Sequence, residues 1–136
     1  MMAKPSRSML LVDDDPNEVL FLRNAFAATG GAVDIRHAES GELALAEIAR
    51  DSPDLVLLDL SMPGLDGYDV LRRLRADEST RTLPTLIFSS SDRDEDIRRS
   101  YREHANAYLV KPRSSDGYRD LAKNLEGFWY DTARLP

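Results

Sequence analysis

The feature that most constrains this chain is a set of short apolar runs separated by longer mixed stretches: "MLLV" (9–12), "VDI" (33–35), "DLVLLDL" (54–60), "TLIFS" (85–89) and "AYLV" (107–110). A strand with one wet face alternates apolar and polar residues, but "LVLL" and "TLIF" are apolar at every position, which predicts strands covered on both faces. Between the runs, apolar residues recur at helical spacing: Val19, Leu22, Ala25 and Phe26, then Leu43, Ala44 and Ile48, then Val70, Leu71 and Leu74. Ile97 and Tyr101 continue the series, as do Tyr118, Leu121, Ala122, Leu125, Phe128 and Trp129. Five strands alternating with five helices give an α/β fold with a doubly wound parallel sheet. "DSPD" before the third strand, "PGLDG" after it and Leu83-Pro84 before the fourth supply the turns. No repeat or linker interrupts the pattern, so one domain over residues 1–136 is expected, with residues 1–8 and 131–136 the least ordered.

Composition narrows the function classes. A chain of 136 residues can bury a core without staples. It contains no cysteine, which removes disulfides, thiolate metal sites and thiol nucleophiles together. The net charge of −6 argues against a nucleic-acid-binding face, and Arg72-Arg73 and Arg98-Arg99 read as solvated helix faces. The N-terminal apolar run, Met9 to Val12, is too short for a signal peptide or membrane span. Cytoplasmic residence without membrane contact is therefore expected.

Ligands of an open α/β sheet gather beyond the carboxyl ends of its strands. The first strand delivers Asp13, Asp14 and Asp15 there, the third Asp59 and Ser61, the fourth Ser89 and Ser90, and the fifth Lys111. Asp15 has a separate role, because "DPNE" reads as an N-cap, a proline at the first helical position and a glutamate completing a capping box. Crowded carboxylates either protonate or recruit a cation, and a set without histidine or cysteine suits magnesium. A lysine and a hydroxyl aimed at the same crevice suit a phosphoryl group in transfer, and Asp59, ending the most apolar strand, is the best nucleophile.

The motifs "LLVDDD", "LVLLDLSMPGLDGYDVL", "PTLIFSSS" and "AYLVKP" together resemble the receiver domains of two-component response regulators. The resemblance implies a flavodoxin-like (βα)5 receiver fold with sheet order 2-1-3-4-5, and phosphoryl transfer from a sensor histidine kinase to Asp59. It makes Asp13 and Asp14 the acidic pair that holds Mg2+ with Asp59, adds the backbone carbonyl of Ser61 as a ligand, and makes Lys111 the phosphoryl contact. Ser89 and Tyr108 become the switch pair, and Pro112 is expected to follow a cis peptide bond. Arg113 replaces a frequent phenylalanine, and His104 and Asn106 flank Ala105 where a glycine-alanine pair is common. Such a protein is a phosphoacceptor, not a turnover enzyme, although it can catalyse its own phosphorylation and dephosphorylation.

The end of the chain, "LEGFWYDTARLP", resembles regulators that partner phytochrome-type histidine kinases. It implies a C-terminal extension at about 127–136 and a homodimer built with it. Helical spacing sends Phe128 and Trp129 inward, leaving Tyr130, Ala133 and Leu135 for an exposed arm; Phe128, Trp129, Tyr130 and Leu135 are the candidate dimer residues. Two other classes compete. An aspartyl-phosphate-forming phosphohydrolase commonly needs a second acid two residues after the nucleophile, where this chain has Ser61. A nucleotide- or flavin-binding domain needs a glycine-rich loop after the first strand, which is missing.

Overall fold

A computed structural model describes residues 7–136; residues 1–6, the outer part of the terminal segment expected to be least ordered, lie outside the described residues. The elements are β1 (Arg7–Val12), α1 (Pro16–Ala28), β2 (Val33–Ala38), α2 (Gly41–Arg50), β3 (Leu55–Leu58), α3 (Gly67–Ala76), β4 (Thr85–Ser89), α4 (Asp94–Arg102), β5 (Ala107–Val110) and α5 (Ser115–Leu125). The strands form one parallel sheet in the order β2-β1-β3-β4-β5. Fold and strand order are thus as the sequence pattern and its resemblance implied.

The uninterrupted apolar runs are explained by two cores, one on each face. Leu10, Val12, Val56, Leu58 and Ile87 meet Ala44 and Ile48 of α2 and Val70, Leu71 and Leu74 of α3. Met9, Leu11, Leu55, Leu57, Leu86 and Phe88 meet Leu22 and Phe26 of α1 and Ala122 and Leu125 of α5. Alternate residues of each strand feed opposite cores, so every position must be apolar. Each fully buried leucine or phenylalanine stabilises this arrangement by about 1.5–3 kcal/mol.

Helix faces depart from expectation in three places. Leu43 is 57% exposed, because the inward stripe of α2 runs through Gly41, Ala44, Leu45 and Ile48 and passes it by. On α4 the buried residue is Ser100, whose Oγ donates to the Asp96 carbonyl at 2.8 Å, while Ile97 is half-buried and Tyr101 exposed. The third departure is the tail. After Leu125 the helix widens into a π-helical segment, Glu126–Thr132, in which hydrogen bonds span one residue more than in an α-helix. That change of pitch turns Trp129 and Tyr130 onto the α1–α5 core and leaves Phe128 56% exposed.

Tyr130 is therefore not part of a free arm, which corrects the expectation from α-helical spacing. Its hydroxyl donates to the Ser8 carbonyl at 2.8 Å, and Arg7 reaches Asp131 at 2.8 Å and Glu126 at 3.7 Å. Arg7 and Ser8, expected to be loose, are the first rungs of β1, opposite Val33 and Asp34. No peptide bond among the described residues is cis, so Lys111–Pro112 is trans, the form favoured for an X–Pro bond by about 0.5–1 kcal/mol. No helix among the described residues is long and apolar enough to cross a membrane.

Candidate functional site

β1 and β3 are neighbours, and their residues after the last rung, Asp13 and Asp59, emerge side by side at the carboxyl edge. The Asp59 N–H still donates to the Val12 carbonyl at 2.9 Å, and the Asp13 N–H to the Ala38 carbonyl at 3.1 Å, so both backbones are fixed by the sheet. Asp13 is fully buried and Asp59 nearly so, whereas Asp14 is exposed. Carboxylate oxygens of Asp13, Asp14 and Asp59 lie within 4.8 Å of one another. Three oxygen donors with no nitrogen or sulfur among them fit a hard divalent cation.

Lys111 arrives from the end of β5 and places its ammonium against this group. Nζ donates to Asp13 Oδ2 at 2.8 Å and lies 3.5 Å from Asp59 Oδ2. Burial works against the ammonium, but the bond to Asp13 and the charges of Asp59, Asp13 and Glu18 outweigh it and hold its pKa above the ordinary value. Burial also acts on Asp59 and, helped by the neighbouring Asp13 charge and opposed by Lys111 and the backbone N–H groups of Ser61 and Leu60, raises its pKa to about 6. Without a cation the pocket thus makes the charged form of Asp59 costlier than in an exposed carboxylate.

Asp15 caps α1 as expected, its Oδ1 accepting from the Asn17 N–H at 2.9 Å. Glu18 does not complete a capping box. Its carboxylate is buried: Oε2 accepts from the Tyr118 hydroxyl at 2.7 Å and Oε1 lies 3.8 Å from Lys111 Nζ. Both residues were hidden by adequate ordinary readings, Glu18 as a cap partner and Tyr118 as an apolar position of α5. The signal available was a glutamate one helical turn beyond an acidic strand end.

Two further supports had no sequence reading. The His37 Nε2–H donates to the Asp13 carbonyl at 2.8 Å. A Cβ on Gly67 would lie 2.3 Å from the Asp59 carbonyl oxygen and 2.8 Å from Leu60 Cα, so only glycine lets α3 start against the strand end.

Ser89 ends β4, is buried, and its Oγ accepts from the Ser91 N–H at 3.1 Å. Tyr108, on β5, is half-buried and donates through its hydroxyl to the Ser91 carbonyl at 2.8 Å. The loop from β4 to α4, which carries Ser91, is tied to α4 by Asp96. Oδ2 accepts from Ser91 Oγ at 2.6 Å and from Arg93 Nη2 at 3.1 Å, and Oδ1 accepts from the Tyr68 hydroxyl at 3.0 Å. The Ser91 hydrogen bond is the main cause that lowers the Asp96 pKa. The structure therefore brings Asp13, Asp14, Asp59 and Lys111 together, with Ser89 and Tyr108 both bonded to Ser91; Ser61 is exposed just past Asp59.

Comparison with known proteins agrees with this geometry. The family model for the response regulator receiver domain matches residues 9–123. The phosphorylated cyanobacterial phytochrome response regulator RcpA superposes with a TM-score of 0.88 at 29% identity, covering 97% of this chain and 99% of that one. The response regulator RPA3017 in red light signaling of R. palustris gives a TM-score of 0.87 at 36% identity, over 96% and 98% of the two chains. Response regulator Rcp1 from Synechocystis sp. (strain ATCC 27184 / PCC 6803 / Kazusa), in its Mn(2+)-bound form, gives 0.86 at 26% identity over 96% and 99%. Neither of the two competing classes finds support in these matches. Its motif order, its sheet order and its acidic pocket beneath a lysine have one common explanation: this chain belongs to the response regulator receiver-domain family, the phosphoacceptors of two-component signalling.

Proposed function

We propose that Asp59 is the residue that accepts the phosphoryl group. The observation that carries this reading is the ammonium of Lys111 held at 2.8 Å from Asp13 and 3.5 Å from Asp59, beside three clustered carboxylates. An Asp59 oxygen forms the new bond to phosphorus as the bond from phosphorus to the kinase's histidine nitrogen breaks, and the imidazole leaves with that electron pair. Asp13, Asp14, Asp59 and the backbone carbonyl of Ser61 would hold Mg2+, which supplies charge neutralisation at the transferred group when bound. Lys111 adds a second positive charge there, and the Ser89 hydroxyl and Tyr108 ring read the modification. The same groups suit self-catalysed phosphorylation and dephosphorylation.

The kinase partner in this reading is phytochrome-type, on the likeness to RcpA, Rcp1 and RPA3017, and the setting is the cytoplasm. The protein acts as a homodimer whose contact is centred on Phe128, with Trp129 and Tyr130 seating the tail and Leu135 extending it. An aromatic side chain 56% exposed on a well-anchored segment supports this assignment. With Mg2+ and acetyl phosphate, intact mass should rise by one phosphoryl group and Asp59→Asn should abolish the gain. Persistent labelling of that variant would reject Asp59. Phe128→Asp should move the protein from dimer to monomer in light scattering; an unchanged mass would remove the tail from the interface.

A further inference from the structure

Among the described residues three carboxylates are buried, Asp13, Glu18 and Asp59, and of these Glu18 stands apart from the oxygen cluster suited to a cation. A buried carboxylate is costly unless partnered. Both of its oxygens are accounted for, one by the Tyr118 hydroxyl at 2.7 Å and the other by Lys111 Nζ at 3.8 Å. Its place in the first turn of α1 adds the favourable field of a helix N-terminus. Tyr118 is itself immobilised, its ring edge-on to Phe88 at 6.4 Å and tilted against Phe21 at 5.4 Å. The hydroxyl of a fixed ring therefore aims one carboxylate oxygen, which leaves the other facing the ammonium.

We propose that Glu18 is a positioning residue for Lys111, oriented by Tyr118. Lys111 has three anionic neighbours, and two of them, Asp13 and Asp59, are the groups that would be claimed by a divalent cation. Glu18 is the anion left to hold the ammonium at the mouth of the pocket, pointed where a phosphoryl group would arrive. The proposal rests on the reading of Asp59 as phosphoacceptor.

A double-mutant cycle in metal-free protein tests the contact without any turnover. Glu18→Gln should lower the urea midpoint of the parent, whereas in a Lys111→Ala background it should be neutral or raise it, since it then removes an unpaired buried charge. Equal losses in both backgrounds would overturn the proposal. With acetyl phosphate at saturating Mg2+, Glu18→Gln should slow labelling of Asp59 by ~10-fold, as loss of an outer-shell partner does. Tyr118→Phe, which keeps the ring, its packing and the charge on Glu18, should slow it by less, ~3-fold, because only the aim of the carboxylate is lost. Neither change should add to the loss caused by Lys111→Ala. A parent that takes no label sinks the phosphoacceptor reading and this proposal with it. A labelled parent matched in rate by both variants sinks only the positioning role.

Discussion

Asp13 and Asp59 leave strands in which every residue from Met9 to Val12 and from Leu55 to Leu58 is fully buried. Tyr108 sits on β5, an edge strand half-open to solvent beside α4, whose one buried residue is Ser100. Close-packed apolar strands resist displacement, because any shift opens voids. The α4–β5 side leans on polar ties as well, from Asp96 to Ser91 and Tyr68 and from Tyr108 to Ser91, which water can replace. The contrast separates two tasks. The clustered carboxylates Asp13 and Asp59 stand on the rigid side, whereas Tyr108, the reporter in the proposed function, stands where a second arrangement costs little, and Lys111 reaches across from the end of β5.

The sharpest way to break this comparison is Leu57→Ala in the centre of β3. A cavity between packed strands should cost about 2–5 kcal/mol of unfolding free energy in urea, and a loss near 1 kcal/mol, equal to that of Ile97→Ala on α4, would show that the two sides do not differ. A smaller effect comes from the charge the rigid side holds. Because the folded protein raises the Asp59 pKa from 3.8 to about 6, its contribution to stability is fully present below the unfolded value and is lost as pH rises through about 6. Metal-free Asp59→Asn should therefore be more stable than the parent at pH ~7, by on the order of 2 kcal/mol, and should lose that advantage by pH ~4. An advantage independent of pH would mean that the buried charge is not its source.

The smallest test lies on the looser side. His104 adopts a φ of 71° between α4 and β5, in the left-handed region that costs an ordinary residue about 1–2 kcal/mol. His104→Gly should raise the unfolding free energy by about 1 kcal/mol or less, the relief of strain being offset by the freedom glycine gains in the unfolded chain. A destabilised variant would show that the imidazole makes contacts worth more than the strain.

The legibility of the sequence follows the same division. The unbroken apolar runs told strand from helix and both-face burial from one-face burial, because only a doubly covered parallel sheet tolerates Leu55 to Leu58. The strand-end acids and Lys111 were legible because the fold sends all strand ends to one crevice. Glu18 escaped because a glutamate at that helical position already had a sufficient local explanation, and only the tertiary approach of α5 supplies the Tyr118 hydroxyl. Gly67 escaped because its constraint is the carbonyl of Asp59, eight residues away in sequence and touching in space. Tyr130 and Phe128 exchanged places because the α-helical period does not hold beyond Leu125, and no residue before the π-helical segment announces the change of pitch.

The clasp between Arg7 and Asp131 brings two points near opposite ends of the chain within 2.8 Å. Such closeness sets the start of β1 beside the tail: a glycine-serine joint from the tail to Arg7 would close the described fold into a ring, with new termini opened in the exposed turn around Glu78 between α3 and β4. In that permuted order the pocket would be assembled from the same strands, while the order in which they emerge during synthesis would be rearranged.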